Sequence, residues 1–183
     1  MKNISRLPAV VLPPALLLLP RIDAVFSATM PRKALAEPLL LLLCGCLASR
    51  CCPWRRTASH GPPAVAAATV LLLFWMIPRS IDLTQIYPSL NAFYVMSLFA
   101  AGFLLNEGVP LLPGVAKAAY ALYFVSMIAA FGLLYASQST LLCSAYTLDD
   151  QHAFGKLLAA FGLVAYLLVV VSMPRWLVRP RSR

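Results

Sequence analysis

Charge is what this sequence has least of. Lys and Arg number 15 and Asp and Glu 6, together 11% of 183 residues. A soluble domain carries about 25%. With 61% of residues apolar, a soluble fold would have little polar surface to turn toward water. A bilayer supplies an apolar exterior, and the composition fits that solvent. Histidine is nearly missing too, with only His60 and His152. The two are separated by several apolar blocks, so neither a Ser-His-Asp nor a Cys-His set is expected. No phosphate loop or dinucleotide fingerprint occurs, and no histidine pair at haem-ligand spacing lies within an apolar run. The chain is not expected to be an enzyme. Ionisable residues are also scarce inside the apolar runs, so neither a proton relay nor an ion path is expected, which counts against a permease.

What the sequence does have is long apolar runs. Those over residues 115–136, 153–173 and 90–109 are the strongest. At 1.5 Å per residue the first reaches roughly 33 Å, enough to cross a hydrocarbon core of about 30 Å. Lys117 and Lys156 sit near ends, where a long side chain can reach the headgroups. Pro174 and Arg175 are expected to stop the last run. The run over 64–77 reaches only roughly 21 Å and must extend into its flanks or thin the bilayer. The run over 34–49 has Glu37 and Pro38 near its start, which suits a helix beginning there. A further candidate span covers 7–20, where Pro13-Pro14 would kink or break a helix. It reads as a retained membrane segment, since Arg21 and Asp23 intervene before any small-residue cleavage site. The expected fold is all-α: one polytopic transmembrane bundle of five or six helices, with the lipid bilayer as its first partner.

The basic excess, formally +9, lies between apolar blocks and in the tail holding Arg175, Arg179, Arg181 and Arg183. That placement sets membrane orientation, and with no aromatic-basic patch nucleic acid is not an expected partner. The tail is expected on the cytoplasmic side. Counting back, the acidic 137–152 loop falls outside, and the 50–63 loop with Arg50, Arg55 and Arg56 inside. One segment breaks the pattern: Arg21, Arg32 and Lys33 make a basic loop where an outer one is due. Either the first candidate segment does not span or its neighbour does not.

Three groups could carry chemistry. Cys44, Cys46, Cys51 and Cys52, with His60 beyond, form the densest set of soft-metal ligands, suited to copper(I) or zinc. The spacing is not that of a zinc finger, and cysteines in a leucine run also serve as small apolar residues. The odd total of five argues against a fully paired disulfide framework. Asp149, Asp150, Gln151 and His152 precede the last run, as a metal or docking cluster or as acids favoured by a helix N-terminus. Met76, Met96 and Met127 are thioethers within apolar runs, either copper(I) ligands or packing.

Several stretches, in order, resemble the CtaG-type family of cytochrome c oxidase assembly proteins. Leu12-Pro13-Pro14 leading to Leu19-Pro20-Arg21 looks like its proline-broken apolar segment. Trp75-Met76-Ile77-Pro78 followed by Asp82 is similar to its Trp-x-x-Pro helix end and following acid. Asn91, Val95, Ser97, Ala101 and Gly102 stand at its His-x-x-x-His-x-Ser and Ala-Gly positions. Tyr146, Leu148, Asp150, Gln151 and Gly155 match the opening of its final helix. The resemblance spans residues 10 to 173. It implies a multi-helix factor of respiratory-chain maturation, associated with copper and with a terminal oxidase or other membrane complex, in a bacterial inner (plasma) membrane. It also implies a shortened, divergent relative. Asn91 and Val95 replace the paired histidines, and Ile77 or Met76 stands where another would precede the proline. Any copper would therefore rest on Cys44, Cys46, Cys51 and Cys52, on methionine, or on the Asp149–His152 cluster with His152 as its ligand. The alternative is a structural or accessory subunit with no metal site.

Overall fold

The computed structural model describes Leu12 and residues 14–51 and 58–178. Helix α1 covers Pro20–Ser27, α2 Arg32–Cys51, α3 Gly61–Met76, α4 Pro78–Ile86, α5 Pro88–Gly108, α6 Gly114–Ser137 and α7 Leu148–Val178. No strand occurs among the described residues. Four helices, α2, α5, α6 and α7, are long and apolar enough to cross a membrane, and α3 with α4 makes a fifth only if the bent pair counts as one span. This is a membrane protein, and the expected five or six spans reduce to four plus that pair. The 7–20 candidate is described at Leu12 and over 14–20, and this part is not among the helices long enough to cross a membrane; residues 7–11 and 13 lie outside the described residues. Within it Leu17 is buried against the core.

Proline sets the shape of one end. A residue before proline is pushed out of the α region, because the ring's Cδ crowds its backbone. Ile77, before Pro78, has ψ 123°, and Tyr87, before Pro88, has ψ 111°. Both prolines then open a helix, where no backbone N–H is needed. The short α4 is thus turned 76° from α3 and lies between α3 and α5 at this end, termed the clasp end below.

Proline also shapes the start of α2. Pro38 has no N–H to give to the preceding turn and its ring needs room. The chain widens into a π-helical turn over Arg32–Ala36, in which the Glu37 N–H donates to Arg32 O. The helix therefore begins two residues before the expected 34. At the other extreme, Pro174 lies inside α7, which runs on to Val178 and also begins at Leu148 rather than 153. One lost hydrogen bond near a helix end is tolerated where the flanking turns hold.

The helices meet through small residues, as lipid-embedded helices do when close packing replaces the hydrophobic effect. A Cβ on Gly45 would lie 2.1 Å from Phe99 O, and one on Gly102 would lie 2.2 Å from Leu42 O, so α2 and α5 touch backbone to backbone. Cys46 Sγ donates to Gly102 O at 3.2 Å in the same crossing. Nearer the far end Asn106 Nδ2 donates to Ser49 Oγ. The α6–α7 hairpin closes the same way at Gly132 and Gly155. Trp75 of α3 packs edge-on to Tyr94 with centroids 4.9 Å apart, and its Nε1 donates to Ser97 Oγ at 2.7 Å.

Candidate functional site: a buried charge cluster and its clasp

Lys33 is wholly buried, and so is Glu37. Both belong to a membrane-length helix, where a charge is costly unless partnered. The Lys33 ammonium donates to Asp23 Oδ1 at 2.8 Å and to Asn91 Oδ1 at 2.9 Å, and lies 3.1 Å from Glu37 Oε2. Two of its protons thus meet acceptors, one each from α1 and α5, and the carboxylate of its own helix adds an ion-pair contact. The Tyr94 ring centroid is 5.1 Å from Nζ, within cation–π range, and the Tyr94 hydroxyl donates to Lys33 O at 2.6 Å. The widened first turn of α2 carries Lys33 and Glu37 one turn apart, so both reach the same interior point.

Among the described residues two buried groups in this region have no hydrogen-bond partner. Neither oxygen of Glu37 has one; Oε2 is within ion-pair distance of Lys33 but lacks hydrogen-bond geometry. The Tyr146 hydroxyl is the other. Tyr146 packs with Met30 and Cys143. Burial raises its hydroxyl well above the ordinary tyrosine range, and Cys143, Glu37, Asp82 and Asp23 act in the same direction. A mostly apolar cavity of about 180 Å³ lies beside the cluster, lined by Pro38, Leu42, Trp75, Tyr94, Phe124 and Phe161 among others.

The segment from Gln138 to Thr147 folds over this end as a clasp. Asp82 of α4 accepts from Ser144 N at 2.7 Å, Ser144 Oγ at 2.9 Å and Ala145 N at 3.3 Å. Gln151 is wholly buried; its Oε1 accepts from Leu142 N at 2.7 Å and its Nε2 donates to Thr140 O at 3.2 Å. His152 Nε2 lies 2.9 Å from Gln138 O. Thr147 Oγ1 accepts from Asp150 N at 3.2 Å and donates to Asp150 Oδ2 at 2.9 Å, a capping pair for α7. Cys143 Sγ is 3.6 Å from Pro78 O, and burial, with Asp82 adding, pushes the thiol up to about 12. Tyr135 of α6 donates to Met76 O at 3.3 Å.

The residues expected to carry function therefore divide. Trp75, Pro78, Asp82, Asp149, Asp150, Gln151 and His152 share the clasp end, but they brace separate parts of it rather than converging. Asp149 is exposed on the first turn of α7. Cys44 is buried in α2, Cys46 is held by Gly102, and Cys51 ends the helix at the far end. Cys52 lies outside the described residues. Among the described residues no three His, Cys, Asp or Glu side chains come close enough to hold a metal ion.

The charge cluster itself was not expected. Lys33, beside Arg32, reads as part of a basic loop, and the apolar runs read as nearly free of charge. The structure corrects both. Lys33 is interior, and Asp23 and Glu37 lie against it, so the basic excess of the loop that breaks the charge pattern is reduced to Arg21 and Arg32. The one available signal is the four-residue spacing of Lys33 and Glu37, which on a helix places them side by side. No family model matches this chain, and neither a curated protein nor a solved structure does.

Proposed function

We propose that this chain is a non-enzymatic integral membrane factor that acts by association with a larger membrane complex, as a structural or accessory component. The observation that supports it most is the use of the clasp-end polar groups. Asp82, Gln151, His152 and Asn91, which an active or metal centre would present to a ligand, are each engaged in joining one segment to another, and Asp150 in capping α7. Asn91 matters most here. It stands at a histidine position of the resembled family, and its carbonyl is taken by the Lys33 ammonium. A cation fixed within hydrogen-bond reach of that position disfavours a second cation there. The specific case suggested by the resemblance is a terminal oxidase during assembly, in a bacterial inner membrane with the C-terminal tail cytoplasmic. Copper handling would rest on the cysteines of α2 and Cys52.

Purification from native membranes in mild detergent, followed by native electrophoresis and metal analysis, tests this reading. Migration with a large membrane complex, with no stoichiometric copper, is the expected result. A protein that migrates alone and carries one copper per chain, lost on changing Cys44, Cys46, Cys51 and Cys52 to serine, would overturn it in favour of copper delivery.

A further inference from the structure

Charge in the cluster does not balance. Asp23 and Glu37 supply two negative charges when ionised and Lys33 one positive, leaving a net −1. Arg21 and Arg32, the nearest cations in sequence, are exposed. Asp23 retains 29% side-chain exposure and the closer hold on Lys33, at 2.8 Å. Glu37 has no exposure and no hydrogen bond to either oxygen. An ionised carboxylate so placed is strongly disfavoured unless compensated, and one partner already shared with Asp23 and Asn91 compensates it incompletely.

We propose that Glu37 and the unpartnered Tyr146 hydroxyl together form a binding site for one exchangeable proton within the membrane bundle. Adding a proton to a Glu37 oxygen forms the carboxylic O–H bond, brings the cluster from −1 to neutral, and gives Glu37 a donor. The unpartnered Tyr146 oxygen is an acceptor in the same region. On release the O–H bond breaks, its electron pair stays on the carboxylate, and the proton leaves to water at the clasp end. Asp23, the cluster's one partly exposed carboxylate, marks the side of exit. A metal cation fits the site poorly: hard cations take six or more oxygens, and the Lys33 ammonium stands 3.1 Å from Glu37 Oε2. The charged and titratable groups facing Glu37 are Asp23 from α1, Lys33 from α2, Tyr94 from α5 and Tyr146 from the clasp. This inference does not depend on the identity of any partner complex.

Infrared difference spectroscopy of the full chain in liposomes, stepped in pH, tests it. The expected result is one carboxylic-acid carbonyl band that appears and disappears reversibly with pH. It should be lost in Glu37→Gln and shifted in frequency in Tyr146→Phe, which keeps the ring and removes the hydroxyl. The Tyr146→Phe spectrum decides the matter if Glu37→Gln does not insert. A band that persists in Glu37→Gln, or one unmoved in Tyr146→Phe, overturns the site. So does a band that follows sodium concentration at fixed pH, which would identify a metal cation instead.

Discussion

The Lys33 ammonium meets Asn91 Oδ1 at 2.9 Å, joining the first turn of α2 to the first turn of α5 across 58 residues of sequence. With Gly45 against Phe99 O and Gly102 against Leu42 O deeper in the same helix pair, this contact fixes how the two helices cross. It also ties α1 in, because Asp23 takes another of the three ammonium protons.

Lys33→Ala should therefore be the most damaging single change at this end. It leaves Glu37 buried with no cation, so the loss reaches about 3–5 kcal/mol, that of a broken buried pair, at high pH and shrinks at low pH, where Glu37 takes up a proton. Asn91→Ala should cost less, about 1–3 kcal/mol, since one ammonium proton loses its acceptor. Combining Lys33→Met with Asp23→Asn and Glu37→Gln should recover much of the first loss by removing all the charges together. Thermal unfolding in detergent ranks the variants. An Asn91→Ala midpoint lower than that of Lys33→Ala would contradict the cluster's charge logic.

The five apolar runs over 34–49, 64–77, 90–109, 115–136 and 153–173 each became a helix, because continuous apolar length is a property of the sequence itself. Helix ends were less legible. The first turn of α7 opens with Asp149 and Asp150, polar residues that read as loop, yet Thr147 and Asp150 are spaced as a capping pair. The cluster was least legible of all. Its members come from three elements, and Lys33 looks like an ordinary headgroup anchor until Asn91 is brought beside it. That juxtaposition depends on the α2–α5 crossing, which no local pattern encodes.

Asp82→Ala should loosen the clasp without unfolding the bundle. Its carboxylate takes three hydrogen bonds from Ser144 and Ala145, but these groups are partly exposed and water can replace it. A loss of about 1–2 kcal/mol follows from ordinary hydrogen-bond values. Limited proteolysis should cut between Gln138 and Thr147 in the variant well before it cuts the parent. Equal cutting rates would show that Asp82 does not hold the clasp.

Cys143 gives a pH-dependent reading of the same clasp. Its thiol is pushed up to about 12, whereas an unfolded cysteine ionises near 8.5. Above that lower value the unfolded chain binds fewer protons than the folded one, so stability falls as pH rises. Between roughly pH 8.5 and 12 the parent should lose stability progressively, and Cys143→Ala should lose less. Tyr146, also raised, adds to the decline above about pH 10. Maleimide should label Cys143 slowly at pH 8 and faster after Asp82→Ala. Stability flat across this range would contradict the buried thiol.

The orientation of the bundle is the last expectation, and the cluster strengthens its basis. Positive charge near membrane ends sets orientation, and the tail carries Arg175, Arg179, Arg181 and Arg183 with no acid after Met173. The same rule left an anomaly at the junction of α1 and α2, which holds Arg21, Arg32 and Lys33 at the end assigned to the outside. Two structural facts reduce it: Lys33 is buried within the bundle, and its charge is met by Asp23 and Glu37. Arg21 and Arg32 remain as exposed cations at that junction, and Arg79 of α4 is exposed at the same end, against four arginines on the tail. The clasp end should accordingly face away from the cytoplasm and the tail should lie within it. In a background where all five native cysteines are changed to alanine, a cysteine placed at Asp149 should react with an impermeant maleimide added to intact cells. One added after Arg183 should react only once the membrane is opened. Labelling of the tail alone in intact cells would reverse the orientation and move the solution side of the Glu37 site to the cytoplasm.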